Sequence, residues 1–525
     1  MLRQCSVALV ALALTTLSLK LVSCSLPPPQ QLYRFLVLLP FGGVSPTMDV
    51  LAVASALAAR GHHLTVVVPQ DDVPFSKRAA QRHGGGEGAG LLEWAPYGMP
   101  FTIGSDEMRR TAAATLNRGP LALAKNVARM FVRPCELMLA NATLVEGLKA
   151  GGYDAVMTFA FPGDDYDSCG CVVSHLLRRP LVLVNGNPLI KAPWSVPQFG
   201  SGLSPAELAT LRGRAKNTMF FLGTRFMWRL MGTLGPGSLI APARAALGLP
   251  KGPAALGGTC APLLELCAST WHVEPPRPLG PPQVLIGPIA PRAAAGALEP
   301  ASVAEFVASA PAGVAVVSYG SVPLFGSFLS RDDYFELTAA FADLAPLRVL
   351  WLLKRKNLPA VVAFEELEFG ANTLAADWVD INDLLGHPNV KLFVTHGGIH
   401  SVNEAAFHGK PFIGVPFQFE QQANCLRLRA LGMGEISAEA VPNRAKGATF
   451  TRQGMAGLIR KVLDTPSYAA AAARVGGAMR LQAALRPPIR LAVEEIELAM
   501  AHRDYGRWAP YAVVPARGGG GPDEL

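Results

Sequence analysis

Short apolar runs alternate along the chain with glycine turns and longer stretches of helix-forming composition. Near the start, Phe35–Leu39 predicts a buried strand, a glycine turn follows it, and a helix is expected from about Thr47 to Ala59. A second strand is predicted at Leu64–Val68, and further strands at residues 153–157 and 180–184. Strands that alternate with helices are typical of an α/β protein with a doubly wound parallel sheet.

The same alternation begins again in the second half of the chain. Val314–Ser318 predicts a strand that ends in the turn Tyr319-Gly320-Ser321, and a further strand is expected around Leu350 and Trp351. Because 525 residues are too many for one ordinary hydrophobic core, two domains are predicted. A proline-rich passage at residues 275–288 places the boundary near 288–300, which gives an N-terminal domain at 25–290 and a C-terminal domain at 291–488. Residues 70–120, rich in Gly, Ala and Pro, are expected to be irregular.

A strand–turn–helix–strand unit in the second half carries the clearest candidate chemistry. The apolar run Val390–Val394 leads into the turn His396-Gly397-Gly398, a helix is expected at Ser401–His408, and Phe412–Val415 predicts the next strand. Such a unit aims the N–H groups of a helix start beyond the strand, where they can bind a phosphate. The two glycines allow a ligand to approach the backbone. His396 and Ser401 can donate hydrogen bonds to phosphate oxygens, and Glu404 can accept them from ribose hydroxyls.

The amino-acid composition limits the kinds of molecule that the protein is expected to bind. Half of the residues are hydrophobic and 16% are charged, which is typical of a globular chain. The net charge is +8, but the basic residues are scattered, and Lys354-Arg355-Lys356 is their only compact cluster. We therefore interpret the charge as a solvated surface and expect no nucleic-acid partner.

The segment from Trp378 to Asn424 resembles the donor signature of the UDP-glycosyltransferases. The matching positions, at the family's spacing, are Trp378, Leu385-Gly386-His387-Pro388, Phe393-Val394-Thr395-His396, Gly398, Ser401, Glu404, Gly409-Lys410-Pro411, Gln421 and Asn424. An Arg60-Gly61-His62 element before the second strand matches as well. The chain differs from the family at three places in the motif: Asp380-Ile381 replaces Pro-Gln, His400 replaces an Asn, and Glu420 replaces an Asp.

The resemblance implies a GT-B fold, in which two facing Rossmann-like domains hold the acceptor in the N-terminal half and the donor in the C-terminal half. It implies that Trp378 stacks on uracil, Glu404 holds the ribose, and Ser321 lies near the donor phosphates. The donor-binding residues it indicates are Ser321, Trp378, His396, Gly397, Gly398, His400, Ser401, Glu404, Glu420 and Gln421. A UDP-sugar is then the co-substrate, with no metal and no other cofactor, and the anomeric centre is inverted. The acceptor is expected to be a lipophilic small molecule or a lipid, and the group transferred a hexose or a hexuronic acid.

The catalytic base that the resemblance implies is missing. The family uses a histidine in the first loop, but that position falls on Gly43 or Pro46, and its partner aspartate falls on Phe159. The catalytic residues are thus unknown, with Asp49 and three loop carboxylates as substitutes: Asp164, Asp165 and Asp167. A helix cap for Asp49 and a solvated loop for the others are the favoured interpretations. Two hypotheses follow: an active transferase, or a non-catalytic relative that binds a nucleotide or a partner.

The two ends of the chain indicate the secretory pathway. Residues 1–24 have the layout of a signal peptide, although an uncleaved anchor is a second interpretation, and no transmembrane helix is expected beyond them. Asn141-Ala142-Thr143 is a candidate glycosylation site. Residues 489–525 are expected to form a helix and a flexible tail whose terminal Asp-Glu-Leu resembles an endoplasmic reticulum retrieval signal. Beyond the two cysteines of the signal, six could pair in part, with no metal pattern and no connectivity fixed by spacing: Cys135, Cys169, Cys171, Cys260, Cys267 and Cys425.

Overall fold

A computed structural model describes most of the chain from Tyr33 to His502. The described residues are 29, 31–40, 45–83, 88–99, 133–159, 169–186, 196–198, 201–234, 245–249, 262–280, 282–320, 329–355, 358–359, 361–417, 419–439 and 448–502. Several sequence predictions lie outside these ranges: the signal peptide, Gly43, Ser321, the loop carboxylates Asp164, Asp165 and Asp167, and the C-terminal tail.

Two parallel sheets organise the described residues. The N-terminal sheet has seven strands in the order β3-β2-β1-β4-β5-β6-β7. Its strands are β1 Arg34–Leu38, β2 His63–Pro69, β3 Leu92–Tyr97, β4 Ala155–Thr158, β5 Leu181–Asn185, β6 Leu264–Cys267 and β7 Gln283–Leu285. The C-terminal sheet has six strands in the order β10-β9-β8-β11-β12-β13. They are β8 Val314–Ser318, β9 Arg348–Leu352, β10 Thr373–Ala376, β11 Val390–Thr395, β12 Phe412–Gly414 and β13 Gly434–Ile436.

Helices connect the strands and cover the faces of both sheets. In the N-terminal half they are α1 Ser45–Ala59, α2 Val73–His83, α3 Ala142–Ala150, α4 Cys169–Leu177, α5 Pro205–Leu208 and α6 Leu211–Leu234. In the C-terminal half they are α7 Ala301–Ala308, α8 Arg331–Ala342, α9 Ile381–Gly386, α10 Ile399–Phe407, α11 Phe419–Ala430, α12 Arg452–Asp464, α13 Pro466–Leu485 and α14 Pro488–Ala501. The central strands are apolar without alternation, because parallel strands covered on both faces have no side exposed to water. Thus β8, Val-Ala-Val-Val-Ser, is buried at every position.

The strand order reverses direction at one place in each sheet. In the N-terminal sheet the reversal lies between β1 and β4, which pair in parallel from Phe35 with Ala155 to Val37 with Met157. In the C-terminal sheet it lies between β8 and β11, where Ser318 pairs with Thr395. Ligands of open α/β sheets bind in the crevice beyond the carboxyl ends of such strands. The fold therefore places the predicted His396-Gly397-Gly398 turn at a ligand-binding position.

The predicted α/β class with two parallel sheets is confirmed, and one local prediction is wrong. Residues 70–120 were expected to be irregular, but the described part of this range contains α2 and β3. Helix α2, Val-Pro-Phe-Ser-Lys-Arg-Ala-Ala-Gln-Arg-His, lies on the surface and is too polar to produce a strong apolar pattern. Strand β3 is at the sheet edge and has only two buried residues, Leu92 and Tyr97. The domain boundaries near residues 24, 290 and 488 stay predictions.

The structure shows one of the cysteine pairings that the sequence left undetermined. Cys135 and Cys169 form a disulfide that joins the segment before α3 to the start of α4. Among the described cysteines, Cys267 and Cys425 are buried free thiols. Asn141 is exposed and caps α3, because its side-chain oxygen accepts a hydrogen bond from the Leu144 N–H at 3.0 Å.

Candidate active site

The turn between β11 and α10 is shaped by contacts that only glycine permits. Gly397 has φ +85°, and a Cβ there would lie 2.4 Å from Cys425 Sγ and 2.9 Å from the Gln421 carbonyl oxygen. The Gly397 N–H donates to Thr395 Oγ1 at 3.3 Å, and its carbonyl accepts from the Asn424 amide at 2.9 Å. Gly398 is the N-cap of α10 and has no side chain that could cap the helix. The first N–H groups of α10 are therefore directed out of the helix without an intrahelical acceptor.

The His396 side chain is buried against this turn. A Cβ on Gly398 would be 2.5 Å from His396 Nε2, so glycine is what allows the imidazole to pack here. The His396 N–H donates to the Ser318 carbonyl at 3.4 Å, which ties the turn to the end of β8. Burial lowers the pKa of His396 to about 4. At neutral pH the ring is thus an uncharged hydrogen-bonding group.

Ser401 and Glu404 lie on α10 behind the turn. Ser401 is in the first helical turn and is buried. Burial raises the pKa of Glu404 to about 7, against the opposing effect of His400. Near neutral pH this carboxyl can therefore both donate and accept hydrogen bonds.

The two residues predicted to contact the sugar begin α11. Gln421 is buried, and its side-chain oxygen accepts from the Phe417 N–H at 3.0 Å. Burial raises the pKa of Glu420 to about 7. Of the two, Gln421 is already engaged in holding the strand–helix connection after β12.

Trp378 is half exposed and lies beside a residue from the other half of the protein. The Arg82 guanidinium, on α2, is 5.1 Å from the centroid of the Trp378 ring. Arg82 also pairs with Asp380, with Nη1 and Oδ2 3.5 Å apart. The remaining predicted donor residue, Ser321, falls outside the described residues.

The Asp380-Ile381 replacement has a structural explanation. Asp380 is the N-cap of α9 and accepts from the Asp383 N–H at 3.3 Å. Arg292 binds the same helix start, with Nη2 3.2 Å from Asp380 Oδ2 and 3.0 Å from Asp383 Oδ2. The acidic residue therefore caps a helix and anchors the connection between the halves, and a family-type proline would do neither.

Two described residues that the resemblance aligns with the family's catalytic pair, Pro46 and Phe159, have no side chain that could take a proton. Pro46 lies in the first turn of α1, and Phe159 is buried at the end of β4. The expectation that Asp49 caps the first helix is wrong, because α1 begins at Ser45 and places Asp49 in its second turn. Asp49 is instead buried and bonded to His400 across the cleft, with Oδ2 and Nε2 3.0 Å apart.

The sequence did not predict the contact between His400 and Asp49. His400 was noticed as a departure from the family and Asp49 as a carboxylate near the first loop. Each residue was a separate signal, but only the folded structure shows that they form a hydrogen bond across 351 positions of the chain.

Solved structures of glycosyltransferases share the fold of this chain. The solved structure of CalG4, the calicheamicin glycosyltransferase, matches with a TM-score of 0.57 at 18% identity, over 90% of this chain and 100% of that chain. Glycosyltransferase VinC, solved in complex with DTDP, matches with a TM-score of 0.55 at 19% identity, over 89% of this chain and 100% of that chain. The fold is that of the GT-B glycosyltransferases.

Sequence comparison gives the family. The family model described as "UDP-glucoronosyl and UDP-glucosyl transferase" matches residues 36–507, and the chain belongs to this family of glycosyltransferase enzymes. The 2-hydroxyacylsphingosine 1-beta-galactosyltransferase of Mus musculus is 27% identical over 442 residues, which cover 79% of this chain and 70% of that protein. The UDP-glucuronosyltransferase 2A3 of Homo sapiens is 30% identical over 390 residues, which cover 70% of this chain and 66% of that protein.

The described residues contain neither a membrane-spanning helix nor a cluster of metal ligands. None of the described helices combines the length and the apolarity needed to span a bilayer. Within the same residues, no three side chains of the His, Cys, Asp or Glu type group together as a metal site would require.

Proposed function

We propose that this protein is an inverting UDP-glycosyltransferase that moves a hexose or a hexuronic acid from a UDP-sugar to a hydroxyl of a lipophilic small molecule or lipid. The observation that carries the proposal is the start of α10. Its free N–H groups, His396 and Ser401 lie together where the strand order reverses, and they lie in register with the family's donor motif. This is an anion-binding arrangement at a ligand-binding position of the fold.

The donor pyrophosphate would bind at the start of α10. Sugar transfer breaks the bond between the anomeric carbon and the β-phosphate oxygen, so negative charge grows on the phosphate. Preorganised donors stabilise such charge without having to reorient during the reaction. The helix N–H groups, the uncharged His396 ring and the Ser401 hydroxyl are donors of this kind, and none of them depends on a metal.

The nucleoside would be held on both sides of the same turn. Trp378 would stack on uracil, and Glu404 would accept hydrogen bonds from the ribose hydroxyls. Glu420 and Gln421 would contact hydroxyls of the sugar, and the hydrogen bond from the Phe417 N–H holds the Gln421 side chain in position. Ser321, Gly397 and Gly398 complete the set of donor-site residues, whereas the His400 side chain is bonded to Asp49 across the cleft.

The acceptor class rests on the relatives. One acts, by its name, on 2-hydroxyacylsphingosine, a lipid, and the other is a UDP-glucuronosyltransferase. A lumenal location fits the signal-peptide layout predicted for residues 1–24 and the exposed Asn141 glycosylation site. We therefore place the reaction in the lumen of the secretory pathway, with the endoplasmic reticulum as the compartment.

Calorimetric titration with UDP, followed by transfer assays with a panel of UDP-hexoses and UDP-glucuronate, tests the proposal. Ser401→Ala should weaken UDP binding by about tenfold, the effect of losing one hydrogen bond to a charged group. Ser309→Ala is a matched control, because Ser309 is an exposed serine at the end of α7 whose hydroxyl donates to the Glu305 carbonyl. It should leave UDP affinity unchanged.

His396→Ala provides the stricter test of the site. UDP binding that survives this substitution at wild-type affinity would refute the assignment of the α10 turn to the donor. UDP binding with no transfer across donors and lipophilic acceptors would instead favour a non-catalytic nucleotide-binding protein. The positions of Pro46 and Phe159, neither of which can take a proton, are the observation behind that second outcome.

A further inference from the structure

A histidine and an aspartate from opposite halves of the protein meet in the cleft. His400 is the second residue of α10, and Asp49 lies in the second turn of α1. Their side chains are joined by a hydrogen bond of 3.0 Å between Nε2 and Oδ2. The end of β5 closes over the same contact, because a Cβ on Gly186 would lie 2.9 Å from Ile399 Cγ2 and 3.8 Å from Asp49 Oδ2.

The pair is buried, and each side chain has one polar atom without a hydrogen-bond partner among the described residues. The Asp49 side chain is 1% exposed and that of His400 is 11% exposed. Asp49 Oδ1 is buried and has no hydrogen-bond partner among the described residues. The described residues also offer no partner to His400 Nδ1. A buried carboxylate oxygen without a partner is costly, so a group that supplies a hydrogen bond there would be favoured.

The hydrogen bond to Asp49 fixes the role of each ring nitrogen of His400. A carboxylate accepts, so Nε2 carries the proton and Nδ1 of the neutral ring carries the lone pair. A carboxylate that orients an imidazole in this way is the arrangement by which a histidine acts as a general base. The position lies at the start of α10, beside the proposed donor site.

We propose that His400, oriented by Asp49, is the general base that deprotonates the acceptor hydroxyl in this protein. The inference rests on the proposed function and supplies the base that the first loop lacks. His400 is then a catalytic residue, and Asp49 is a positioning residue that acts through it. The asparagine that the family has at this position could not take a proton. In this protein the base has therefore moved from the first loop to position 400, where a histidine replaces that asparagine.

The proposed step accounts for every proton and electron pair. His400 Nδ1 takes the proton of the acceptor hydroxyl while the hydroxyl oxygen forms a bond to the anomeric carbon. The bond from that carbon to the β-phosphate oxygen breaks, and its electron pair leaves with UDP. The imidazolium formed is stabilised by the Asp49 carboxylate, and it returns its proton to water after UDP has left.

The charged groups around His400 set the pH range of this base. Burial alone would lower the pKa of His400, but the charge and the hydrogen bond of Asp49, with a smaller contribution from Glu404, raise it above its ordinary value. Glu404 lies one turn further along α10 and is itself influenced by Asp380, Asp383 and Arg292. Transfer should therefore increase with pH through the raised pKa of His400, and Asp49→Asn should move that rise to lower pH.

The test compares two acceptors with the full-length protein and a UDP-sugar donor. One is a primary alkanol, which needs a base, and the other is 4-nitrophenol, which is acidic enough to react without one. His400→Gln should lower kcat for the alkanol by about 100-fold or more, and kcat for 4-nitrophenol by less than about tenfold. UDP affinity should stay within about threefold of wild type. His400→Asn, which restores the family residue, should behave in the same way and guards against a misfolded variant.

His408→Gln is the matched control, because it changes a histidine at the other end of the same helix. It should leave the ratio of the two acceptor rates unchanged. Equal losses with both acceptors, or a loss of UDP affinity in His400→Gln, would assign His400 to donor binding and overturn the inference. Wild-type protein that binds UDP but transfers to neither acceptor would overturn the proposed function together with it.

Discussion

One buried carboxylate joins the two halves of the protein and should respond strongly to substitution. Glu274 follows β6, its side chain is 1% exposed, and it forms a salt bridge with Arg427 on α11. Glu274 Oε2 also lies 3.1 Å from Arg277 Nη1, and the Ser269 hydroxyl donates to Oε1 at 2.9 Å. Arg427 in turn contacts Asn424, the residue that holds the Gly397 carbonyl. The ion pair is thus connected to the donor turn.

Glu274→Gln keeps the shape of the side chain and removes its charge. Two buried guanidiniums, those of Arg277 and Arg427, would then lose their common counter-charge. Removing one partner of a buried pair costs about 3–5 kcal/mol. A chain of this size changes its unfolding midpoint by roughly 1–2 °C per kcal/mol, so a decrease of about 3–10 °C is expected.

The pH dependence gives the same prediction a second measurement. Burial alone would raise the pKa of Glu274, but Arg427, Arg277 and the Ser269 hydroxyl outweigh it and hold the pKa below its ordinary value. A carboxyl of this kind stabilises the fold above its unfolded pKa of about 4.3, and the stabilisation is lost as pH falls through the lower folded value. Wild type and Glu274→Gln should therefore differ fully at pH 7 and converge below about pH 4.

Thermal unfolding followed by circular dichroism measures both effects. Glu494→Gln is the control, because its carboxylate forms a 2.9 Å pair with Arg490 that is partly exposed on α14. A surface pair of this kind contributes about 0–1 kcal/mol. If Glu274→Gln lowers the midpoint at pH 7 no more than Glu494→Gln does, the buried pair does not stabilise the contact between the halves.

Four further measurements test other parts of the structure. Trp378→Ala should weaken UDP binding by about 1–3 kcal/mol through loss of ring stacking, measured by calorimetry. Asn424→Ala removes the hydrogen-bond donor of the Gly397 carbonyl and one contact of the Arg427 guanidinium, so it should destabilise the fold by about 1–3 kcal/mol and weaken UDP binding as well. The double variant Cys135→Ala/Cys169→Ala opens a loop with a separation of 34 residues and should cost about 4 kcal/mol in denaturant unfolding. Burial lowers the pKa of His408 to about 4. The contribution of His408 to the stability of the fold is therefore complete above the unfolded pKa of about 6.5 and is lost as pH falls towards 4. The thermal unfolding midpoint of His408→Gln should decrease less steeply than that of the wild type from pH 7 to about 4.5.

The strands and the donor turn could be predicted from local sequence. Val314–Ser318 was predicted with its observed bounds, because strands buried on both faces are continuous apolar runs. Gly397 was predicted as a turn glycine, and its positive φ agrees. Local sequence failed where burial is partial: α2 has a polar surface composition and β3 is an edge strand, so neither produces a clear apolar pattern.

The function of individual motif residues could be predicted only in part. Motif spacing predicted a ligand contact for Gln421, which stays a prediction, but it did not predict that Gln421 and Asn424 also bond to the protein's own backbone, at the Phe417 N–H and the Gly397 carbonyl. Asp380 pairs with Arg82 and Arg292, and His400 pairs with Asp49. All three partners are far away in the chain. Contacts between distant segments depend on how the two halves pack, and no periodicity in the sequence reports that packing.

The departures from the family motif show a common physical pattern. Where the family has an uncharged Pro and Asn, this chain has Asp380 and His400, and each is paired with a charged residue of the N-terminal half. The Arg60–Glu497 and Glu274–Arg427 pairs also join α14 and α11 to that half. Polar contacts between domains separate at lower cost than apolar ones, because water replaces the lost partners. The two replaced motif positions therefore belong to the polar contact between the halves as well as to the donor motif.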